Sequence, residues 1–225
     1  MTAASSLRPR RFDLVVFDWD GTLYDSTALI VRSIQGACAD IGAPVPDAGQ
    51  AAYVIGLGLR EALEHAVPGL PAERYPALVE RYRHHYLRHQ HDLSLFPGVL
   101  QMLARLRQRN HWLAVATGKS RRGLDEALAG TELKGCFDGS RTADETRSKP
   151  HPQMLQELMR EFGVDPARTL MIGDTTHDLQ LAANAGTPSV AVAYGAHEPA
   201  RFDEHAPLFT AASVSELDTW LAANA

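Results

Sequence analysis

The sequence predicts an α/β protein: a doubly wound parallel sheet with a small all-helical cap domain inserted after the first strand. Three observations carry this expectation. The stretch Phe-Asp-Leu-Val-Val-Phe that begins at Phe12 is a β-branched apolar run, and the polar Asp18 ends it, as expected of a parallel strand buried on both faces. Over 26–95 only helical spacing is found. After Phe96-Pro97-Gly98 strands and helices alternate, the pattern of successive βαβ units.

In chain order, strand one spans 12–17. Helical spacing then runs through Ile30, Ile34, Ala37 and Ile41 up to Gly42, and resumes over 59–67 and 78–87. Beyond Gly98 a helix is expected over 99–109, a strand over 112–116 and a helix over 120–129, then a short strand near Phe137. A helix over 152–162, a strand over 169–172, a helix over 176–185, a strand over 189–193 and a terminal helix over 214–222 complete the reading. Residues 1–23 and 96–225 thus form the core domain and 24–95 the cap. The segment from Met1 to Arg10 reads as a loose tail.

A chain of 225 residues exceeds the usual length of about 150 per domain, which suits one large domain with a smaller insert. With 45% hydrophobic and 22% charged residues it has an ordinary globular composition, so disorder, collagen-like repeats and coiled coil are excluded. A net charge of −5 offers no broad positive field, and nucleic acid is not expected as a partner. The longest apolar runs are strand-sized, so neither a membrane span nor a secretory leader is expected. Cys38 and Cys136 have no second cysteine nearby, which leaves no zinc spacing or disulfide framework and fits a cytoplasmic location.

In open α/β sheets ligands bind beyond the carboxyl ends of the strands. There the sequence places Asp18-Trp19-Asp20-Gly21-Thr22, Thr117-Gly118-Lys119-Ser120, Ser148-Lys149-Pro150 and Gly173-Asp174-Thr175-Thr176-His177-Asp178. Asp18 and Asp20, two apart on extended chain, point the same way and call for a cation between them. Thr117 and Gly118 precede a helix N-terminus, a common anion cradle. Asp174 and Asp178, four apart, can share one helix face.

Each piece has a plainer reading when taken alone. Asp25 or Ser26 can be a helix N-cap, and Asp174 with Asp178 a cap and a first-turn dipole partner. Thr117-Gly118 can be only a turn, Lys149 a solvated surface lysine and His177 an exposed helix residue.

Taken together and in this order, Asp18-x-Asp20-Gly21-Thr22, Thr117-Gly118, Lys149-Pro150 and Gly173-Asp174-x-x-x-Asp178 resemble the haloacid dehalogenase-like superfamily, with its Rossmann-like core. The resemblance runs from Phe12 to about Tyr194. The helical stretch between the first two motifs is similar to the cap of the phosphoglycolate phosphatase-like branch. Trp19 is bulkier than the Phe, Leu or Met expected there.

The resemblance implies a phosphatase acting on a small phosphorylated metabolite. Asp18 would be the nucleophile that becomes an aspartyl phosphate, and Asp20 the acid and then the base. Mg²⁺ would sit on Asp18, the backbone carbonyl of Asp20 and Asp174, with Asp178 completing or orienting that shell. Thr117, the Gly118 amide and Lys149 would hold the remaining phosphoryl oxygens. A sugar phosphomutase, a pyrophosphatase and, from a different class, a non-hydrolytic phospho-acceptor signalling domain are the alternatives. Asp20 argues against a dehalogenase, and the lack of any lysine over 24–95 argues against phosphonate cleavage. Monomer and homodimer are both compatible with the sequence.

Because those residues all address the phosphoryl group or its metal, selectivity is expected from the cap. Its two linkers, around 24–27 and 95–98, suit a hinge. Gly56-Leu57-Gly58 has neither the preceding strand nor the third glycine of a dinucleotide loop, and reads as a cap loop that approaches the site. Gly56 and Arg60 are its candidate specificity residues, Arg60 reading either as a contact for a carboxylate or second phosphate or as a surface arginine. Between Arg81 and His89 basic and aromatic residues interleave. At helical period Leu78, Tyr82 and Tyr86 form a buried stripe and the charged groups a solvated face, and no third ligand makes His85 and His89 a zinc site.

Overall fold

The structure is a computed structural model, and it describes residues 10–129 and 132–225. All but the last residue of the tail read at Met1 to Arg10 lies outside them. Six strands, β1 (Leu14–Phe17), β2 (Trp112–Thr117), β3 (Gly139–Thr142), β4 (Thr169–Gly173), β5 (Ser189–Val192) and β6 (Thr210–Ala211), form one sheet in the order β3-β2-β1-β4-β5-β6, with every pairing parallel. β1 lies at the centre, in register with Leu113 and Leu170 through Val15.

Alternation along β1 builds two cores, since successive side chains of a strand leave opposite faces. Val15 and Phe17 pack with helices α5 (Val99–Gln108) and α9 (Val214–Asn224). Leu14 and Val16 pack with α7 (Gln153–Phe162) and α8 (Thr176–Ala185). Helix α6 (Arg121–Ala129) follows β2. A strand covered on both faces has no reason to alternate polar and apolar residues, which is why β1 reads as an unbroken apolar run.

Between β1 and α5 lie α1 (Thr27–Asp40), α2 (Ala48–Tyr53), α3 (Leu59–Ala66) and α4 (Tyr75–His89). They enclose their own apolar cluster, in which Ile30, Ile34 and Ala37 of α1 meet Leu63 of α3 and Leu78 of α4. The two linkers bond to each other: Asp25 N–H donates to the Ser94 carbonyl and Phe96 N–H to the Leu23 carbonyl, both at 3.0 Å. No described helix is long and apolar enough to cross a membrane.

Three elements depart from the sequence reading. The strand expected near Phe137 begins at Gly139, where Phe162 and Leu158 of α7 cover the chain. The two-residue β6 and the short α2 carry too few residues for a periodic signal to register.

Candidate active site

Strand ends gather the carboxylates. The Asp18 N–H donates to the Ile172 carbonyl at 2.9 Å, which fixes the end of β1 against β4, and Asp174 leaves β4 one residue beyond Gly173. Asp178 arrives from the first turn of α8, where Thr175 is the N-cap and the two residues form a reciprocal capping box. Oxygens of Asp18, Asp174 and Asp178, all buried, lie within 4.8 Å of one another. Asp174 is therefore no helix cap; Thr175 occupies that position.

Lys149 supplies the counter-charge. Its ammonium donates to Asp18 Oδ1 at 2.6 Å and to Asp178 Oδ1 at 2.7 Å, and the residue is 0% exposed. The surface-lysine reading is corrected here: the segment before α7 turns Lys149 inward, where two carboxylates hold it protonated against the cost of burial. Asp178 Oδ2 accepts from the Thr175 N–H at 3.1 Å and from its hydroxyl at 2.7 Å. Asp174 accepts from the Thr22 hydroxyl and the Ala196 N–H, both at 2.7 Å.

One oxygen is left over. Asp18 Oδ2 is buried and has no hydrogen-bond partner among the described residues. Burial, with Asp178 and Asp174 close by and only Lys149 opposing, pushes the Asp18 carboxyl well above its usual range. Asp174 is pushed up to about 7, by burial first and Asp178 second. A buried orphan acceptor beside two more carboxylates is a place where a cation would remove a standing cost. A donor set of carboxylate oxygens alone, without nitrogen or sulfur, suits a hard divalent ion such as Mg²⁺.

The Asp20 carboxylate stands apart from this cluster, so the sequence reading of Asp20 as a metal residue rests on its backbone carbonyl alone. Ser26 donates its hydroxyl to Asp20 Oδ1 at 2.6 Å, and the Lys119 ammonium lies 3.0 Å from Oδ2. Ser26 does occupy the N-cap position of α1, yet its side chain turns to Asp20 and makes no cap bond. Burial works against the charge on Lys119, but Asp20 and the phenols of Tyr86 and Tyr82 outweigh it and raise its pKa. Tyr86 Oη accepts from Lys119 at 3.0 Å.

Thr117 closes β2 beside β1, and its hydroxyl accepts from the Lys119 N–H at 3.2 Å. Gly118 faces the loop between α2 and α3: a Cβ there would sit 2.7 Å from the Gly56 carbonyl oxygen and closer still to that of Leu57. Gly56 has φ +95°, and a Cβ on it would lie 3.2 Å from Thr175 Oγ1. Gly58 N–H donates to Ser148 Oγ at 2.8 Å. The loop thus lies across Thr175, Gly118 and Ser148, three of the four segments that make the site.

Arg60 is not brought there. One turn of helix sets it against Glu64, and its guanidinium lies 4.9 Å from the centre of the Tyr75 ring, within the helical layer. His177 is likewise corrected: it is buried, and its Nε2 and that of His197 lie 2.8 and 2.9 Å from the Tyr53 carbonyl oxygen. His197 Nδ1 accepts from the Thr176 N–H at 3.0 Å, so its Nε2 carries the proton and donates to Tyr53.

Sequence reasoning therefore missed Lys119, Tyr86, Ser26 as a partner of Asp20, and His197. For Lys119 a signal existed: only three of the 22 basic residues are lysines, at 119, 134 and 149, in a chain that otherwise uses arginine. Two of those three are in this site. Tyr86 had none, because its i, i+4 spacing from Tyr82 is also that of an ordinary buried stripe.

Comparison with known proteins agrees with this geometry. A family model described as haloacid dehalogenase-like hydrolase matches residues 15–192. The chain is 37% identical over 190 residues to a probable phosphatase, IndB, of Dickeya dadantii, covering 82% of each protein. It is 34% identical over 191 residues to a phosphoglycolate phosphatase of Aliivibrio fischeri, covering 81% of this chain and 84% of the other. A crystal structure from Haemophilus somnus, described as a predicted phosphoglycolate phosphatase, superimposes with a TM-score of 0.83 at 24% identity, over 93% of this chain and 98% of that one.

Proposed function

We propose that this chain, a phosphatase that belongs to the haloacid dehalogenase-like hydrolases, hydrolyses a small phosphate monoester of the phosphoglycolate kind through an aspartyl-phosphate intermediate. The observation that carries the reading is Asp18 Oδ2, a buried carboxylate oxygen without a partner at the meeting point of Lys149, Asp174 and Asp178. In the first half-reaction Asp18 Oδ2 attacks phosphorus, an Asp–O–P bond forms, and the ester P–O bond breaks. Asp20 passes its proton to the departing alkoxide oxygen. In the second half-reaction Asp20 takes a proton from water, the water oxygen bonds to phosphorus, and the Asp18–phosphorus bond breaks to release inorganic phosphate.

Ser26 holds Asp20 Oδ1 in place for both transfers. Lys149 and the Gly118 amide address the equatorial phosphoryl oxygens, with Thr117 beside them, so that charge developing there meets fixed donors. Asp18, Asp174 and the Asp20 backbone carbonyl would hold Mg²⁺, with Asp178 orienting the shell, and the ion would offset phosphoryl charge and the mutual repulsion of these carboxylates. The helices of 24–95 act as the cap, and the loop at Gly56 closes over Gly118 and excludes water.

The test is phosphate release from a panel of 2-phosphoglycolate, sugar phosphates, nucleotides and pyrophosphate. Turnover of a small monoester that stops with EDTA and returns with Mg²⁺, together with borohydride trapping at Asp18, is the expected result. Stable phosphorylation of Asp18 without turnover of any member would replace this reading with a phospho-acceptor domain.

A further inference from the structure

The carbonyl of a helix's last residue is one of four that have no N–H partner within the helix. Tyr53 closes α2, where the chain leaves for the loop that lies over the site. Its carbonyl oxygen is met from the other side of the molecule, by His177 Nε2 at 2.8 Å and His197 Nε2 at 2.9 Å. A carbonyl oxygen has two lone pairs and only accepts, so both ring nitrogens carry N–H and both lone pairs are used.

Both donors belong to the core, His177 in the first turn of α8 and His197 beyond the end of β5. Both are buried. The core also sets the aim of His197, because its Nδ1 accepts from the Thr176 N–H at 3.0 Å and leaves the proton on Nε2. A histidine that only filled space would need no particular tautomer; here a core N–H selects the one that donates to Tyr53. The two imidazoles meet edge to face with centres 5.1 Å apart, and the Tyr53 ring stacks on His197 at the same separation.

What this carbonyl anchors is the stretch 54–58. There Gly56 adjoins Thr175, the Gly56 and Leu57 carbonyls face Gly118, and the Gly58 N–H bonds to Ser148. Among the described residues neither imidazole bonds to the side chain of Asp18, Asp20, Asp174, Asp178 or Lys149.

We infer that His177 and His197 are positioning residues: as paired N–H donors to the Tyr53 carbonyl they hold the loop of 54–58 over the phosphoryl site and leave the reacting groups to others. This rests on the phosphatase reading above and adds to it the groups that fix the loop.

The experiment compares the wild type with His177→Leu/His197→Leu, with His177→Leu and with His177→Gln, whose side-chain amide restores an N–H donor. It measures hydrogen exchange at the Gly58 amide, kcat and KM for the ester that the wild type turns over best, and the inhibition constant of inorganic phosphate. A neutral hydrogen bond is worth about fivefold, so the double variant is expected to speed Gly58 exchange and to lower kcat/KM by about tenfold or more. Inorganic phosphate meets only core groups, and its inhibition constant is expected to stay within about twofold. His177→Gln is expected to keep most of the wild-type protection and kcat/KM. If the double variant does not fold, His177→Leu carries the test with about a fivefold effect, since the Thr176 N–H keeps its partner there.

Unchanged Gly58 exchange would show that the loop stands without the pair, and the inference falls. Phosphate affinity lost in proportion to kcat/KM would mean that the histidines act through the neighbouring Asp174 and Asp178, which overturns it too. So would a His177→Gln variant no better than His177→Leu, because ring shape and not N–H donation would then matter. Absence of wild-type turnover on every ester removes the phosphatase reading, and the Gly58 exchange rates alone then decide whether the pair holds the loop.

Discussion

Lys149 and Asp18 meet at 2.6 Å although 131 residues separate them in the chain, and the same ammonium reaches Asp178 at 2.7 Å. One buried cation thus serves two buried carboxylates, one from the end of β1 and one from the first turn of α8. Lys149→Met leaves both without a counter-charge, and removal of one partner from a buried ion pair costs about 3–5 kcal/mol. The urea midpoint is expected to fall accordingly, and turnover to vanish. In the double variant Lys149→Met/Asp178→Asn stability should recover in part, while activity stays lost. If the single variant is as stable as the wild type, the ion triad does not have the energetic role assigned to it.

Asp20 and Asp18 are expected to separate by leaving group. With Asp20→Asn, hydrolysis of alkyl monoesters should fall by about 10²–10⁴, the usual contribution of a general acid. Hydrolysis of p-nitrophenyl phosphate should fall far less in its first half-reaction, because that leaving group departs without a proton. Asp18→Asn should abolish phosphoenzyme with every ester. A leaving-group-independent loss in Asp20→Asn, measured by burst kinetics, would refute its role as acid.

Gly118 gives a test of cap closure in which the clash falls on the facing loop and not on the dihedral angles of Gly118 itself. A Cβ at this position meets the Leu57 and Gly56 carbonyls. Since Gly118 is not among the positive-φ glycines, Ala is tolerated by its dihedral angles. Gly118→Ala is therefore expected to push the loop away from the site and lower kcat/KM by about tenfold or more, with some loss in thermal midpoint from the displaced loop. Unchanged kinetics would show that the loop does not approach this closely during turnover.

His111 provides the pH prediction. Its Nδ1 lies 2.9 Å from the Phe12 carbonyl oxygen and its buried Nε2 has no partner among the described residues. Burial first, and Arg109 second, lowers its pKa from 6.5 to about 4. The unfolded chain then binds the proton more readily than the folded one, so stability is full above about 6.5 and declines as the pH falls toward about 4. The contribution is up to about 3 kcal/mol. Asp174, raised to about 7, acts in the opposite sense: it favours the folded state at low pH, and that contribution is lost as the pH rises toward 7. The wild-type slope is a sum, and a His111→Gln variant isolates one part. Between pH 5 and 7 the urea midpoint of that variant should lose less, or gain more, on acidification than that of the wild type; an identical pH dependence would contradict the assignment.

The sequence by itself determined the central sheet, the helix-only insert and the order of the acidic and basic motifs at strand ends. These are local matters. An apolar run such as Leu14 to Phe17 reports burial on both faces through the period of its own side chains, and a strand's C-terminal end is known once the strand is known. Asp18 and Asp174 are therefore legible from local sequence as residues of one crevice, whereas Lys149, by its own sequence a surface lysine, is placed beside them only by the resemblance of the whole motif order.

Only the tertiary structure decided which other cation adjoins Asp20. Arg60 and Lys119 each lie close after a glycine, and nothing in their local sequence says which one faces the carboxylates. Helix phase turns Arg60 to Glu64, one turn away, whereas the end of β2 aims Lys119 at Asp20 and the packing of α4 brings Tyr86 to it. The same holds for Ser26 and His177, whose partners are Asp20 and the Tyr53 carbonyl rather than their own helix ends. A side chain's hydrogen-bond partner is chosen by whatever the folded chain places within about 3 Å, and periodicity carries no information about groups far away in sequence.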